Sequence, residues 1–307
     1  MTDSRQALQT PAGWILAALV MGALFAGSST LFVRLNELGP ITSAFYRAFL
    51  ALPVLWLAMG WETRAAATAP PRALGRRDHG LLALAGLFFA GDLFFWHLAI
   101  MNTAVANATL LATLSPVYVT AILFVLFGER VRPLFLGGTA LAVAGAALLM
   151  GDSFAFRPDR LLGDVYGLVT GLFLAGYMVT VGRLRRTVGI GTGTLMFWST
   201  LVTAAALLPL ALVLEDAMLA ATVFGWAMLA ALALVSHVAG QGLVAMAMAH
   251  LPTAFASVGL IMEVVAAAVL GWIFLNEPLA PLQWLGAAVV VAGVVVARGG
   301  SRTSRSP

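Results

Sequence analysis

The sequence predicts an all-α integral membrane protein, its ten transmembrane helices arranged as two inverted five-helix repeats. Three observations carry this reading. Of the 307 residues, 61% are hydrophobic and 10% charged, with mean hydropathy +0.98; soluble domains carry roughly 25% charged residues. Apolar stretches of the roughly 20 residues that a bilayer crossing needs can be laid down ten times. The chain is also written twice. Gly22-Ala23-Leu24-Phe25-Ala26-Gly27 followed by Arg34-Leu35 returns as Gly171-Leu172-Phe173-Leu174-Ala175-Gly176 followed by Arg183-Leu184, an offset of 149 (176 − 27). Glu129, Pro133, Gly138 and Gly145 return as Glu277, Pro281, Gly286 and Gly293, an offset of 148 (277 − 129). Glycine matches alone arise by chance in so uniform a composition. The Arg, Glu and Pro matches at the same register carry the repeat.

The first span runs near 12–33, after a polar stretch from Thr2 to Thr10 that lacks the charged start and small-residue cleavage site of a signal peptide. The second runs near 41–60, the third near 80–101 and the fourth near 104–127. Met101-Asn102-Thr103 divides the third from the fourth, just as His250-Leu251-Pro252 divides the eighth from the ninth at the equivalent place (252 − 104 = 148). The fifth is placed near 133–151. The second half follows near 163–182, 192–214, 223–249, 252–275 and 280–297. The expected organisation is a tail over 1–11, a first repeat over 12–151, a linker over 152–162, a second repeat over 163–297 and a tail over 298–307.

Orientation follows from arginine. All 17 basic residues are Arg. With the N-terminus inside, 13 of them fall on the cytoplasmic side, and only Arg34, Arg157 and Arg160 fall outside; Arg47 lies within the second span. This positive-inside bias puts both termini in the cytoplasm and the linker in the periplasm. Five spans per half is an odd number, so the second half enters the membrane upside down relative to the first.

Several functions are disfavoured by composition. The absence of Lys removes Schiff-base chemistry and a P-loop. The absence of Cys removes thiol nucleophiles and thiolate metal sites. Four scattered histidines without HExxH spacing offer no metalloenzyme. The net charge of +4 sits at membrane edges rather than in a patch, so nucleic acid is not expected as a partner. No cofactor and no metal are expected.

Short motifs in a fixed order give a more specific reading. Tyr46-Arg47-Ala48-Phe49 lies in the second span, Leu114-Ser115-Pro116-Val117 in the fourth, and Gly128-Glu129-Arg130 closes it. The second half supplies Met262-Glu263-Val264 and Leu270-Gly271-Trp272, then Asn276-Glu277-Pro278 closing the ninth span. In these features the chain resembles the EamA-type members of the drug/metabolite transporter superfamily over roughly residues 12 to 298. The usual Glu-Pro of the ninth span is Glu263-Val264 here, which leaves its proline kink without a proline. The resemblance implies transport of small metabolites across the inner membrane, commonly amino-acid export. It also implies a central cavity surrounded by spans 1, 3, 4, 6, 8 and 9, with spans 5 and 10 peripheral. The glycine spacing of spans 5 and 10 fits close helix packing.

Charges deep in a bilayer cost about 2.5–3.5 kcal/mol on insertion scales, so each polar group within a span needs a reason. Asp92 has Trp96 four residues on and so on the same helical face. An acid beside an aromatic suits an amine or cation; a bond to a neighbouring helix explains it as well. Glu263, central in the ninth span, is read as lying in or beside the cavity, with the capping of an amide in a broken helix as the alternative. His237 and Gln241, one turn apart, either line a substrate path or bond between helices. His97 lies next to Trp96 and is the weaker ligand. Arg47 is able to hold a carboxylate, but its place near the outer edge and within the family motif favours a structural ion pair. Ser28, Ser29 and Thr30 match Tyr177 in the second repeat (177 − 149 = 28). These, with Asn107 and Tyr118 of the fourth span, fit either a cavity wall or packing contacts. Glu129 and Glu277 are read as loop anchors.

The candidate substrate-binding set is therefore Asp92, Trp96, Asn107, Tyr118, Tyr177, His237, Gln241 and Glu263. Inverted duplication favours alternating access about a midplane site over a channel, an enzyme or a purely structural role. The expected substrate is an amino acid, aromatic or otherwise neutral, and by resemblance the amino-acid exporters of the YddG type give the nearest picture. Efflux of an organic cation or drug is the alternative. The expected partners are that amino acid or amine and membrane lipid; the sequence does not read out an oligomeric state.

Overall fold

A bilayer offers no water to an exposed backbone, so each crossing must satisfy its own N–H and C=O groups, which a helix does. The computed structural model describes residues 13–65, 74–103, 105–150, 160–276 and 278–301, and among them it is helical with no strand. Among the described residues ten helices are long and apolar enough to cross a membrane. They are span 1 (Gly13–Leu35), span 2 (Pro40–Arg64), span 3 (Arg76–Asn102), span 4 (Ala108–Phe127) and span 5 (Pro133–Met150), followed by span 6 (Leu161–Val188), span 7 (Thr192–Leu214), span 8 (Val223–Ala247), span 9 (Thr253–Leu275) and span 10 (Pro281–Gly300). Ten spans joined in series put the described ends at one membrane face, and the two halves run in opposite senses.

The helix ends explain where these bounds differ from the sequence expectation. Span 3 begins four residues earlier than the apolar stretch suggests, because Asp78 accepts the Gly75 N–H at 2.9 Å and caps the helix. Span 6 runs on through a π-helical turn, Leu184–Val188, and stops at Gly189, whose φ of 71° is left-handed. Spans 4 and 9 end alike. Gly128 (φ 66°) and Asn276 (φ 54°) are both left-handed caps, 148 residues apart (276 − 128). Glu277 and most of the 152–162 linker lie outside the described residues.

Several spans are interrupted at depth. Span 1 breaks at Ser28, between helices Gly13–Gly27 and Ser29–Leu35. Span 4 breaks before Ser115, with Pro116 in the first turn of the helix that follows. Span 9 breaks at Ile261, between Thr253–Leu260 and Met262–Leu275. No proline is needed there: the Ile261 N–H bonds back to Val258 at 3.1 Å, and the Val264 N–H bonds to the Ile261 carbonyl at 3.1 Å.

Spans 5 and 10 pack mainly on each other. Gly138, Gly145, Gly286 and Gly293 lie where a Cβ would strike the backbone of the other helix, the close approach that small residues permit in membranes. Spans 2 and 7 form a second pair, closed by reciprocal caps. At the face away from the described ends, Glu215 beyond span 7 accepts the Ile41 and Thr42 N–H groups of span 2 at 2.7 and 2.9 Å. At the other face, Glu62 of span 2 accepts the Thr194 N–H of span 7 at 3.1 Å. Gly39 and Gly191 make room, since a Cβ at either would run into the capping carboxylate.

Candidate functional site

Spans 1, 3, 4, 6, 8 and 9, joined by Arg47 of span 2, enclose a cavity of about 110 Å³. Spans 5 and 10 contribute nothing to its wall. Span breaks supply much of the lining: Gly27, Ser29 and Thr30 flank the break in span 1, Thr113 and Ser115 that in span 4, and Ile261 and Glu263 that in span 9. Gly27 lets spans 1 and 9 meet here, because a Cβ on it would collide with the Glu263 carbonyl. Glu263 lies ten residues into span 9 (263 − 253). At 1.5 Å per residue that is about 15 Å, mid-depth in a hydrocarbon core of about 30 Å. Arg47 lies seven residues into span 2 (47 − 40), about 10 Å from the face away from the described ends.

Two pairs of the wall's polar groups occupy equivalent positions of the two repeats. Asp92 of span 3 matches Gln241 of span 8 (241 − 92 = 149), and Ser115 of span 4 matches Glu263 of span 9 (263 − 115 = 148); all four line the cavity. The scaffold is thus duplicated while its decoration is not, with one acid and one neutral partner in each pair.

Four of the eight sequence candidates meet in this wall: Asp92, Trp96, Gln241 and Glu263. Two more lie just behind it, around Phe89. The Phe89 ring packs against Tyr177 at 4.9 Å and against His237 at 5.3 Å between centroids. His237 then bonds through Nε2 to Thr200 Oγ1 of span 7 at 2.8 Å, so this residue makes an interhelical bond while Gln241 faces the cavity. Both sit on a π-helical stretch, Leu232–Gln241, a geometry that often marks functional sites. Tyr118 is half-buried and packs near Gly171 of span 6, away from the wall. The side chain of Asn107 lies outside the described residues. His97 is buried, bonded through Nδ1 to the Leu93 carbonyl. Ser28 turns from the cavity to meet Ser236 at 3.0 Å.

Two residues matter more than the sequence suggested. Arg47 is buried in the wall rather than at the membrane edge, with its guanidinium 5.6 Å from the centre of the Phe89 ring. Its Nε has no hydrogen-bond partner. Glu263 and then Asp92 are the carboxylates that act on it electrostatically. Phe89 joins this arginine to Tyr177 and His237. Its position three residues before Asp92, on the same helical face, was the available signal. Among the described residues the cavity carries one guanidinium, two carboxylates, an amide, hydroxyls and an indole, groups chemically able to contact polar solutes of either charge. Among the described residues no group of three or more metal-ligating side chains converges.

Comparison with known proteins agrees with this architecture. The model of the EamA-like transporter family matches twice, over residues 12–151 and 161–299. An uncharacterised transporter of Archaeoglobus fulgidus is 29% identical over 92% of this chain and 95% of its own length. The pseudopaline exporter CntI of Pseudomonas aeruginosa is 27% identical over 73% of this chain and 76% of its own. A solved crystal structure superposes with a TM-score of 0.77 at 19% identity, covering 94% of this chain and 98% of the other, which bears on the fold alone. With one family model fitted to each half and ten membrane helices between them, the chain belongs to the EamA-like transporter family and is a multi-pass membrane transporter.

Proposed function

We propose that this transporter exports small metabolites, chiefly amino acids including aromatic and neutral ones, by alternating access through the central cavity. The observation that carries the reading is the mid-depth cavity with Asp92 and Gln241, Ser115 and Glu263 at repeat-equivalent positions of its wall. Two inverted halves around one site can rock to expose it first to one face and then to the other. Asp92 and Glu263 are the ammonium-binding groups, Trp96 provides an apolar face for a side chain, and Gln241 donates and accepts hydrogen bonds. From behind the wall, Tyr177 and His237 hold Phe89, which lines it. Similarity to a protein named as an exporter supports the outward direction.

The 13-to-3 arginine bias supports cytoplasmic termini and a periplasmic linker, while the family match to each half supports the 12–151 and 163–297 repeats and an inner-membrane protein. A second reading, organic-cation efflux, is favoured by the two carboxylates beside Trp96. Proteoliposomes loaded with labelled aromatic and neutral amino acids separate the two. The expected result is efflux above that of empty vesicles; no amino-acid efflux alongside robust transport of a dye cation overturns the reading in favour of the second.

A further inference from the structure

We infer that Arg47 is the anion anchor of the cavity, holding the carboxylate of a zwitterionic substrate whose ammonium lies towards Asp92 or Glu263. This rests on the amino-acid reading above and narrows it to substrates with a free carboxylate. Arg47 is 8% exposed, so its charge has been taken out of both water and lipid headgroups. A buried guanidinium is stable only when its donors are met. Its Nε donor is nevertheless left without a partner, and the group lines the cavity. Phe89 lies 5.6 Å away; a ring offers a π contact but no in-plane acceptor.

A purely structural ion pair, the role expected from sequence, would place a protein carboxylate directly on the guanidinium. Glu263 and Asp92 act on Arg47 through space; Nε is sealed away from the cavity, so it is the terminal nitrogens, on the side of the guanidinium that lines the cavity, that take an acceptor from it. The planar fork of a guanidinium matches a carboxylate with two parallel hydrogen bonds. Acids and arginine line the same cavity of about 110 Å³, which suits a head group carrying both charges on neighbouring atoms. An amine without a carboxylate leaves Arg47 unmet. A carboxylate without an amine adds an anion beside two acids.

The test uses full-length protein in liposomes with three matched probes: phenylalanine, phenethylamine, which lacks the carboxylate, and 3-phenylpropionate, which lacks the amine. Wild type is expected to transport phenylalanine in clear preference to the other two. Arg47→Gln should raise KM for phenylalanine about 10- to 100-fold, the range of a lost charged hydrogen bond, while phenethylamine transport holds or improves. Arg47→Lys keeps the charge but loses the fork, and its KM should fall between; thermal unfolding of both variants checks that they are folded. Equal loss of phenylalanine and phenethylamine transport in folded variants overturns the anchor while leaving the amino-acid reading standing. Wild type that moves phenethylamine and not phenylalanine overturns that reading, and the anchor with it.

Discussion

His237 shows how a single buried polar side chain is held. It is 1% exposed, its Nε2 meets Thr200 at 2.8 Å, and its Nδ1 has no partner. Thr200→Val removes the one bond and strands the whole ring, so the change should cost about 1–3 kcal/mol of stability; thermal unfolding in detergent measures it, and an unchanged melting temperature would show that the bond contributes nothing. Residues of this kind were only partly legible in the sequence. Asp92, Trp96, Gln241 and Glu263 stood out because polar groups are rare in apolar helices, and depth along a helix can be counted. What Arg47 faces cannot be counted, because Phe89, Asp92 and Glu263 lie on spans 3 and 9 and only tertiary packing brings them to it. For the same reason His237 and Gln241, neighbours on one helix, serve different sides of it. Spacing within a helix gives the face but not the occupant opposite.

The spans themselves were readable because a hydrocarbon core sets a minimum apolar length, and the sequence repeats that length ten times. Their ends and breaks depend on groups that are distant in the chain. The Glu215 clamp on Ile41 and Thr42 joins residues more than 170 positions apart, and nothing local announces it. Each clamp places a carboxylate on the free N–H groups of a helix start, where the helix dipole favours negative charge. Glu215→Ala should therefore cost about 1–2 kcal/mol, again read from thermal unfolding. Gly39→Ala should destabilise too, because its Cβ meets the clamp's carboxylate. A third carboxylate, Glu37 in the turn after span 1, holds the start of span 8 through the Thr222 hydroxyl and the Ala221 and Thr222 N–H groups. The Thr222 hydroxyl first, and then these backbone bonds, hold the Glu37 carboxyl below its ordinary range. A carboxylate whose folded value is depressed contributes above its unfolded value and loses that contribution as pH falls through the folded one. Amide exchange at Ala221 and Thr222, corrected for its intrinsic pH dependence, should accelerate as pH drops below the ordinary carboxylate range. Exchange that stays flat there would detach Glu37 from the clamp.

Across the whole molecule, the alternating access proposed above draws on duplication, since two inverted halves of related sequence around one site can rock to open it to either face. The decoration of the wall then decides what moves and what drives it. Among the described residues Arg47 is the one guanidinium in that wall, beside the two carboxylates Asp92 and Glu263. A net charge left in a low-dielectric cavity is unfavourable, so the surplus carboxylate draws in either a proton or the positive end of a solute. A cationic solute takes the place of that proton, whereas a zwitterion whose carboxylate is held by Arg47 brings no net charge and leaves the proton in place. The surplus acid is therefore where a pH gradient would act on the cycle. The expectation is that a pH gradient across proteoliposomes alters the wild-type transport rate, and that Glu263→Gln and Asp92→Asn, each of which balances the wall's charges, abolish that response. Counterflow at equal pH on both sides supplies the control, because it reports substrate exchange without a driving gradient. A variant that still exchanges substrate but no longer responds to the gradient has lost coupling alone. Gradient dependence that persists unchanged in both variants would show that neither acid carries the proton.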